Sequence, residues 1–218
     1  MSITLYGYWR SSTTWRVRIA LNLKGLDYTI VPVHLVKAEQ HTEAHKALNP
    51  LAQVPVLIFD QDGDAPVAIT QSMAIMEYIE ERFPTDGQPL LPSAPVARAR
   101  ARQLAEVINS GTQPLQNFAV LNRLKESGVD ARAWGSDFIR NGLSAVETLA
   151  ATTAGAFLVG DQPTIADLCL IPQLYNARRF GAPIDDLQTL LAVEARCNAL
   201  PAFQRAHPDQ QPDAQAPD

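Results

Sequence analysis

Apolar positions in the first third of the chain fall into short runs of strand character, separated by stretches where the apolar spacing lengthens to that of a helix. Residues 3–6, 29–33, 56–59 and 67–69 are the strand runs, short, apolar and rich in β-branched side chains. Between the first two, Trp15, Ile19 and Leu23 recur at spacing four, the stripe of an amphipathic helix, and Gly25 supplies its C-terminal stop. After the fourth, Ile75, Met76, Ile79 and Phe83 mark a second helix over residues 73–82, with Ser72 as its expected N-cap. The hairpin turn between the last two strands is expected at Asp60-Gln61-Asp62-Gly63-Asp64. This order predicts βαβ followed by ββα, an α/β domain over residues 1–84.

Pro84, Pro89, Pro92 and Pro95 forbid a continuing helix, so residues 85–95 read as a linker. Beyond it the spacing is helical over 96 to about 123, 131–151, 164 to about 179, and 187–199, with no strand pattern among them. Residues 96–212 are therefore expected to form an all-α domain, with 213–218 as a tail. Thr164 and Asp167 have the spacing of a capping box ahead of an apolar run. From His207 onward the chain is rich in Pro, Gln and Asp, and is expected to fray or to lie extended over the surface.

Composition narrows the function classes. A chain of 218 residues buries a proper core without disulfides or metals, and a net charge of −5 with no dominating basic face argues against a nucleic-acid partner. No apolar stretch approaches the length of a membrane span, and the N-terminus lacks the pattern of a secretory signal, so a cytoplasmic location is expected. The two cysteines, Cys169 and Cys197, form no Cys-x-x-Cys pair, which argues against a zinc site or a dithiol centre. His41 and His45 would share a face if their stretch is one helix; a solvated surface helix is the expectation there, and no metal.

Chemistry concentrates at the first strand-to-helix turn, Arg10-Ser11-Ser12-Thr13-Thr14-Trp15. Small hydroxyl residues there cap a helix, and the unpaired N–H groups behind them favour an anion such as a thiolate. Pro55 stands at the mouth of an apolar strand, where a cis Val54-Pro55 bond is expected, and Gln71-Ser72 opens the next helix. Because neither cysteine is placed for catalysis, any thiol chemistry requires a sulfur from outside the protein.

These features together resemble the zeta class of cytosolic glutathione transferases. The resemblance is carried by Ser11-Ser12-Thr13-Thr14-Trp15-Arg16-Val17-Arg18-Ile19-Ala20-Leu21, Ala47-Leu48-Asn49-Pro50, Gln53-Val54-Pro55, Gln71-Ser72, Gln113-Pro114-Leu115-Gln116-Asn117 and Gly160-Asp161-Gln162-Pro163-Thr164-Ile165-Ala166-Asp167-Leu168. The one departure in the first motif is Thr13, where that class usually has Cys. The resemblance implies a thioredoxin-like N-terminal domain followed by an all-α C-terminal domain, in a homodimer. It further implies that glutathione is the cofactor: Gln71 and Ser72 meet its γ-glutamyl end, Val54 before Pro55 pairs with its cysteinyl main chain, and Gln40 and Gln113 approach its glycyl end. Ser11 and Ser12 face the sulfur as catalytic residues, with Ser11 matching the one credited with the thiolate. Arg10 and Arg179 match the arginines that receive an acidic substrate, and Arg10 also assists the chemistry. Arg178 has no matching cation and is expected to face solvent, and Arg16 and Arg18 to serve ion pairing or packing.

The implied reaction is cis–trans isomerisation of a maleyl keto acid, maleylacetoacetate to fumarylacetoacetate in the first instance, by thiolate addition, bond rotation and elimination. Maleylpyruvate is the alternative substrate: Gln113 favours the former, since maleylpyruvate relatives tend to carry His there, and Thr13 the latter. Displacement of halide from α-halo acids and a non-catalytic glutathione-binding role are the further alternatives. Thiolate stabilisation alone achieves little. Lowering a thiol pKa from about 8.5 by about two units raises the thiolate fraction roughly 25-fold at pH 7, while the accompanying loss of nucleophilicity removes about 6- to 10-fold. Holding sulfur and substrate together must supply most of the rate.

Overall fold

In the computed structural model, which describes residues 2–60 and 65–215, alternation along β1 (Ser2–Gly7) turns Ile3 and Leu5 into the core and leaves Ser2 outside. β1 pairs in parallel with β2 (Thr29–Pro32) and antiparallel with β3 (Val56–Asp60), which pairs antiparallel with β4 (Val67–Thr70). The described residues thus hold one four-stranded sheet in the order β2-β1-β3-β4. The expected turn residues Gln61 to Asp64 lie outside the described residues, but the register Val56↔Thr70 to Phe59↔Val67 is that of a hairpin.

Helix α1 (Ser12–Lys24) crosses between β1 and β2 and ends at Gly25, whose φ of 67° is the left-handed conformation that glycine adopts without penalty. Gly7 brings the strand against this helix: a Cβ there would collide with Thr14. Burial of α1 goes beyond its apolar stripe, since Arg16, Arg18 and Lys24 are also buried. Lys24 Nζ donates to Phe83 O at 3.0 Å and pairs with Glu80 at 2.7 Å, joining α1 to the end of α3 (Ser72–Arg82). Between β2 and β3 lie two 3₁₀ turns, Leu35–Lys37 and Glu39–His41, and the short helix α2 (Glu43–Leu48).

The chain divides into two compact units, Met1–Leu90 with Pro201–Asp218, and Leu91–Leu200. This corrects the expected end of the helical domain at residue 212. A helix that the sequence reading missed, α9 (Pro201–Ala206), belongs to the first unit, because Asn22 Nδ2 donates to Ala202 O at 3.0 Å, Arg18 Nε donates to Ala206 O at 3.0 Å, and Phe203 is buried. The tail is corrected too. Gln211 is buried, with its Nε2 donating to Arg205 O and His207 O at 2.9 Å each, and His207 stands edge-on to Trp15. The linker is also anchored: Leu90 and Leu91 are buried, and Leu90 N–H donates to Glu80 Oε2 at 2.9 Å.

The described part of the second unit is helical, with α4 (Pro95–Asn109), α5 (Phe118–Glu126), α6 (Ala131–Ala150), α7 (Ile165–Phe180) and α8 (Gln188–Asn198). The expected continuous helix over 96–123 is broken into α4, a 3₁₀ turn at Gln113–Gln116, and α5. Pro114 accounts for the break, since it has no N–H for the carbonyl four residues back, that of Ser110, and its ring clashes with that oxygen. Thr112 Oγ1 donates to Val107 O at 2.9 Å just past the end of α4. The capping box at α7 is present: Asp167 accepts Thr164 N–H at 2.8 Å and Leu158 N–H at 2.9 Å, fully buried.

Candidate active site

The turn from β1 into α1 is closed by Ser11, whose Oγ accepts the Thr14 N–H at 3.3 Å from an extended backbone at φ −66°, ψ 121°. Thr13 Oγ1 lies 2.9 Å from Ser11 Oγ and donates to Val54 O at 3.0 Å. A hydroxyl has one proton; with that of Thr13 on a carbonyl, Ser11 is the donor in the Ser11–Thr13 pair. Ser11, Thr13 and Val54 therefore form one hydrogen-bonded chain across the mouth of the first helix. Ser12 is nearly buried, and the first-turn amides behind these hydroxyls have no intrahelical acceptor.

The Val54-Pro55 bond is cis, as expected. The loop leading into it is held by two side chains that the sequence reading did not assign: His45 Nε2 donates to Gln53 O at 2.9 Å, and Asn49 Nδ2 donates to the same oxygen at 2.8 Å. Asn49 Oδ1 accepts Leu51 N–H at 3.1 Å, the local turn bond that the Asn-Pro pair could have signalled. The surface-helix reading of His41 and His45 is corrected: His41 ends a 3₁₀ turn, His45 is buried in α2, and no group of metal-ligating side chains occurs among the described residues.

At the start of α3 the cap position is Gln71 rather than Ser72. Gln71 is exposed at φ 69° and ψ 114°, a sparsely populated conformation for a non-glycine residue that costs on the order of 1–3 kcal/mol. Ser72 is the first helical residue, 4% exposed, and its Oγ accepts from Arg16 Nη1 at 3.3 Å. Arg16, outside the apolar stripe of α1 yet fully buried, thus places a positive charge beneath the N-terminus of α3. Gln40 is buried in its 3₁₀ turn, and its Oε1 has no hydrogen-bond partner among the described residues.

Arg10 follows a small core cluster of Tyr8, Trp9, Val33 and Val54, and its guanidinium lies 5.1 Å from the centroid of the Trp9 ring. Arg18, expected to pair or pack, does the latter: Nη2 donates to Trp9 O at 2.9 Å, and burial pulls its pKa down to about 10 against opposing pushes from Tyr28 and Asp213.

In the second unit, Gln113 Nε2 donates to Asn117 Oδ1 at 2.7 Å, and Arg179, in the last turn of α7, donates to Asn176 Oδ1 at 3.3 Å. Arg178 does not simply face solvent: it makes a two-pronged contact with Glu194, at 2.6 Å for each arm. The sequence reading missed the buried pair in which Gln116 Nε2 donates to Gln173 Oε1 at 2.6 Å, for which no local signal exists. Both cysteines are buried, and burial pushes the Cys197 thiol far above the ordinary range, so neither is a nucleophile.

Residues 1–81 match the glutathione S-transferase N-terminal domain, and residues 129–205 the glutathione S-transferase C-terminal domain. The maleylacetoacetate isomerase of Aspergillus fumigatus is 45% identical over 97% of this chain and 92% of its own length. The maleylacetoacetate isomerase of Anaeromyxobacter dehalogenans, solved with glutathione in its active site, is 51% identical with a TM-score of 0.91, covering 98% of each chain. The same enzyme has been solved with dicarboxyethyl glutathione and citrate in its active site. A bacterial maleyl pyruvate isomerase of the zeta class is 40% identical with a TM-score of 0.90, over 97% of this chain and 100% of that one. The chain belongs to the zeta class of the glutathione transferases. Its thioredoxin-like α/β unit and its helical unit are those of a glutathione transferase, in which Ser11, Thr13 and Val54 stand together in the first unit, with Ser72 joined to the same helix through Arg16. Arg179 and Gln113 belong to the second unit of this transferase, and Gln40 shares no hydrogen bond with the Ser11 cluster among the described residues.

Proposed function

We propose that this chain is a glutathione-dependent isomerase of a maleyl keto acid, with maleylacetoacetate as the first substrate. The observation that carries the reading is the Ser11–Thr13–Val54 chain beside Arg10, in a protein whose zeta-class relatives hold glutathione. Glutathione is a peptide with a carboxylate at each end and a thiol between them, and the side chains fit it. Ser72, with Arg16 beneath it at a helix N-terminus, suits the γ-glutamyl carboxylate; its hydroxyl accepts from Arg16 and keeps its own proton to donate. Gln71, held in its strained conformation, presents an exposed amide next to it. Val54 offers main-chain groups for an added extended segment, and the buried Gln40 Oε1 is an acceptor for a donor near the glycyl end, to which Gln113 also belongs.

When bound, glutathione supplies the thiolate that adds reversibly to the substrate double bond and so permits its rotation. Ser11 turns its proton from Thr13 to the sulfur, which requires only rotation about one bond. Arg10 and Arg179 hold the substrate carboxylates through planar, permanently charged donors. Maleylpyruvate is the second reading, favoured by Thr13. We assign the protein to the cytoplasm as a homodimer, as its family resemblance implies.

Retention on immobilised glutathione, with loss of absorbance of the cis-maleyl substrate only when glutathione is present, is the expected result. Equal turnover without the thiol overturns the reading. Arg179→Ala is expected to raise KM for the keto acid about 10- to 100-fold, the size of a hydrogen bond between charged partners, while glutathione affinity measured by calorimetry stays the same. Parallel loss of both would remove Arg179 from the substrate side.

A further inference from the structure

The segment after α9 returns to the residues that precede α1. Asp213 Oδ2 accepts the Trp9 N–H at 3.1 Å, while Arg18 Nη2 donates to Trp9 O at 2.9 Å. Trp9 is therefore held by both of its main-chain polar groups, one from the C-terminal segment and one from α1. Arg18 also donates to Ala206 O at 3.0 Å, which joins the two holds. Gln211 folds the segment back, since its main-chain oxygen accepts Ala214 N–H at 3.0 Å, and Ala214 packs against the cluster of Tyr8, Trp9, Val33 and Val54. Gln215 Nε2 lies 3.0 Å from His34 Nε2 at the far edge of that cluster. Asp213 Oδ1 is buried without a hydrogen-bond partner among the described residues, so the hydrogen bond of this carboxylate goes to the Trp9 amide through Oδ2, with the Arg18 charge nearby.

The consequence falls on the next residue. Arg10 has its guanidinium over the Trp9 indole, and an arginine that grips a carboxylate must first give up rotamer freedom. Stacking on a fixed ring removes part of that freedom beforehand, and the ring is fixed only while the Trp9 main chain is. We propose that Asp213 is a positioning residue for substrate binding, acting through Trp9 to hold Arg10 in place; this rests on the reading of Arg10 as a receiver of the substrate carboxylate.

The test uses the full-length protein with Asp213→Ala, Asp213→Asn, Arg10→Ala and the double variant Asp213→Ala/Arg10→Ala. Asp213→Ala is expected to raise KM for the maleyl keto acid about tenfold, with kcat and the calorimetric glutathione Kd within about twofold of the parent. Asp213→Asn, which keeps an acceptor for the Trp9 N–H, restores KM. In the Arg10→Ala background, adding Asp213→Ala changes KM no further, because the effect passes through Arg10. In the ligand-free protein, hydrogen exchange at the Trp9 amide accelerates in Asp213→Ala and returns in Asp213→Asn. An equal rise in KM with and without Arg10, or a parallel fall in glutathione affinity, makes Asp213 a general anchor and overturns the proposal. Failure of the Asn rescue does the same. If Arg10→Ala by itself leaves KM unchanged, the assignment of Arg10 falls and takes this role with it.

Discussion

Ser11→Ala is expected to lower kcat at least about tenfold at pH 7 and to move ionisation of the bound thiol upward by about one to two pH units, the equivalent of one hydrogen bond to a charged acceptor. Ionisation alone cannot give a tenfold loss. The thiolate fraction falls by up to about 25-fold, but the more basic sulfur is a better nucleophile by about 6- to 10-fold, which leaves a net loss near threefold. Any excess measures how far Ser11 holds the sulfur in place rather than merely charged. Removing the hydroxyl also strips the cap from the Thr14 N–H and leaves Thr13 without its second partner, so a fall in stability of about 1 kcal/mol accompanies the kinetic loss. Ser12→Ala, which breaks no hydrogen bond among the described residues, is expected to cost less on both counts. Steady-state rates across pH, thiolate absorbance of the bound cofactor and thermal melts of the two variants decide the matter; the opposite ranking would transfer the thiolate to Ser12.

Asp167→Ala is expected to cause the largest loss of stability, about 3–5 kcal/mol on the acid side of neutrality. Its carboxylate accepts the Leu158 and Thr164 main-chain N–H groups and the Thr164 hydroxyl, all buried, and each orphaned donor costs roughly 1–3 kcal/mol. The loss should also depend on pH. Burial raises the Asp167 pKa from 3.8 to about 6, with the hydrogen bonds from Leu158 and Thr164 pulling the other way. A folded-state value above the unfolded one means that the folded chain favours the proton. The associated stability is complete below pH 3.8 and is lost as pH rises through about 6. A displacement of about two units corresponds to about 3 kcal/mol. Urea melts of parent and variant should therefore differ most near pH 4 and converge by up to that amount at pH 7.5; a gap that is constant across this window would contradict the assignment.

Features written in neighbouring residues were legible in the sequence. Gly25 as a helix stop, the Thr164–Asp167 box, the strands, the cis bond before Pro55 and a hydroxyl cap ahead of the first helix are each decided by side chains a few positions apart. The misreadings share a different origin. Gln71 displaced Ser72 from the cap because Arg16, 56 positions away in sequence, draws the Ser72 hydroxyl inward. The C-terminal segment looked like a frayed tail because its composition is polar, whereas Gln211 and Asp213 use that polarity on the main chain, at Arg205, His207 and Trp9. Arg16, Arg18 and Lys24 carry charge on a helix that both α3 and α9 cover, and no periodicity reveals that a guanidinium will find carbonyls in the interior. The break at Pro114 is the exception, a local signal that was outweighed by apolar spacing on either side.

Thr13 has a consequence for durability. A compound electrophilic enough to accept a thiolate will also alkylate any protein thiol that it can reach. Where the class usually places a cysteine beside the nucleophile, this chain has a hydroxyl, and Cys169 and Cys197, its two sulfhydryls, are both sealed in the interior. Turnover after turnover, the sulfur exposed to the electrophile is one that leaves with the exchangeable tripeptide, while both thiols of the polypeptide stay out of its reach.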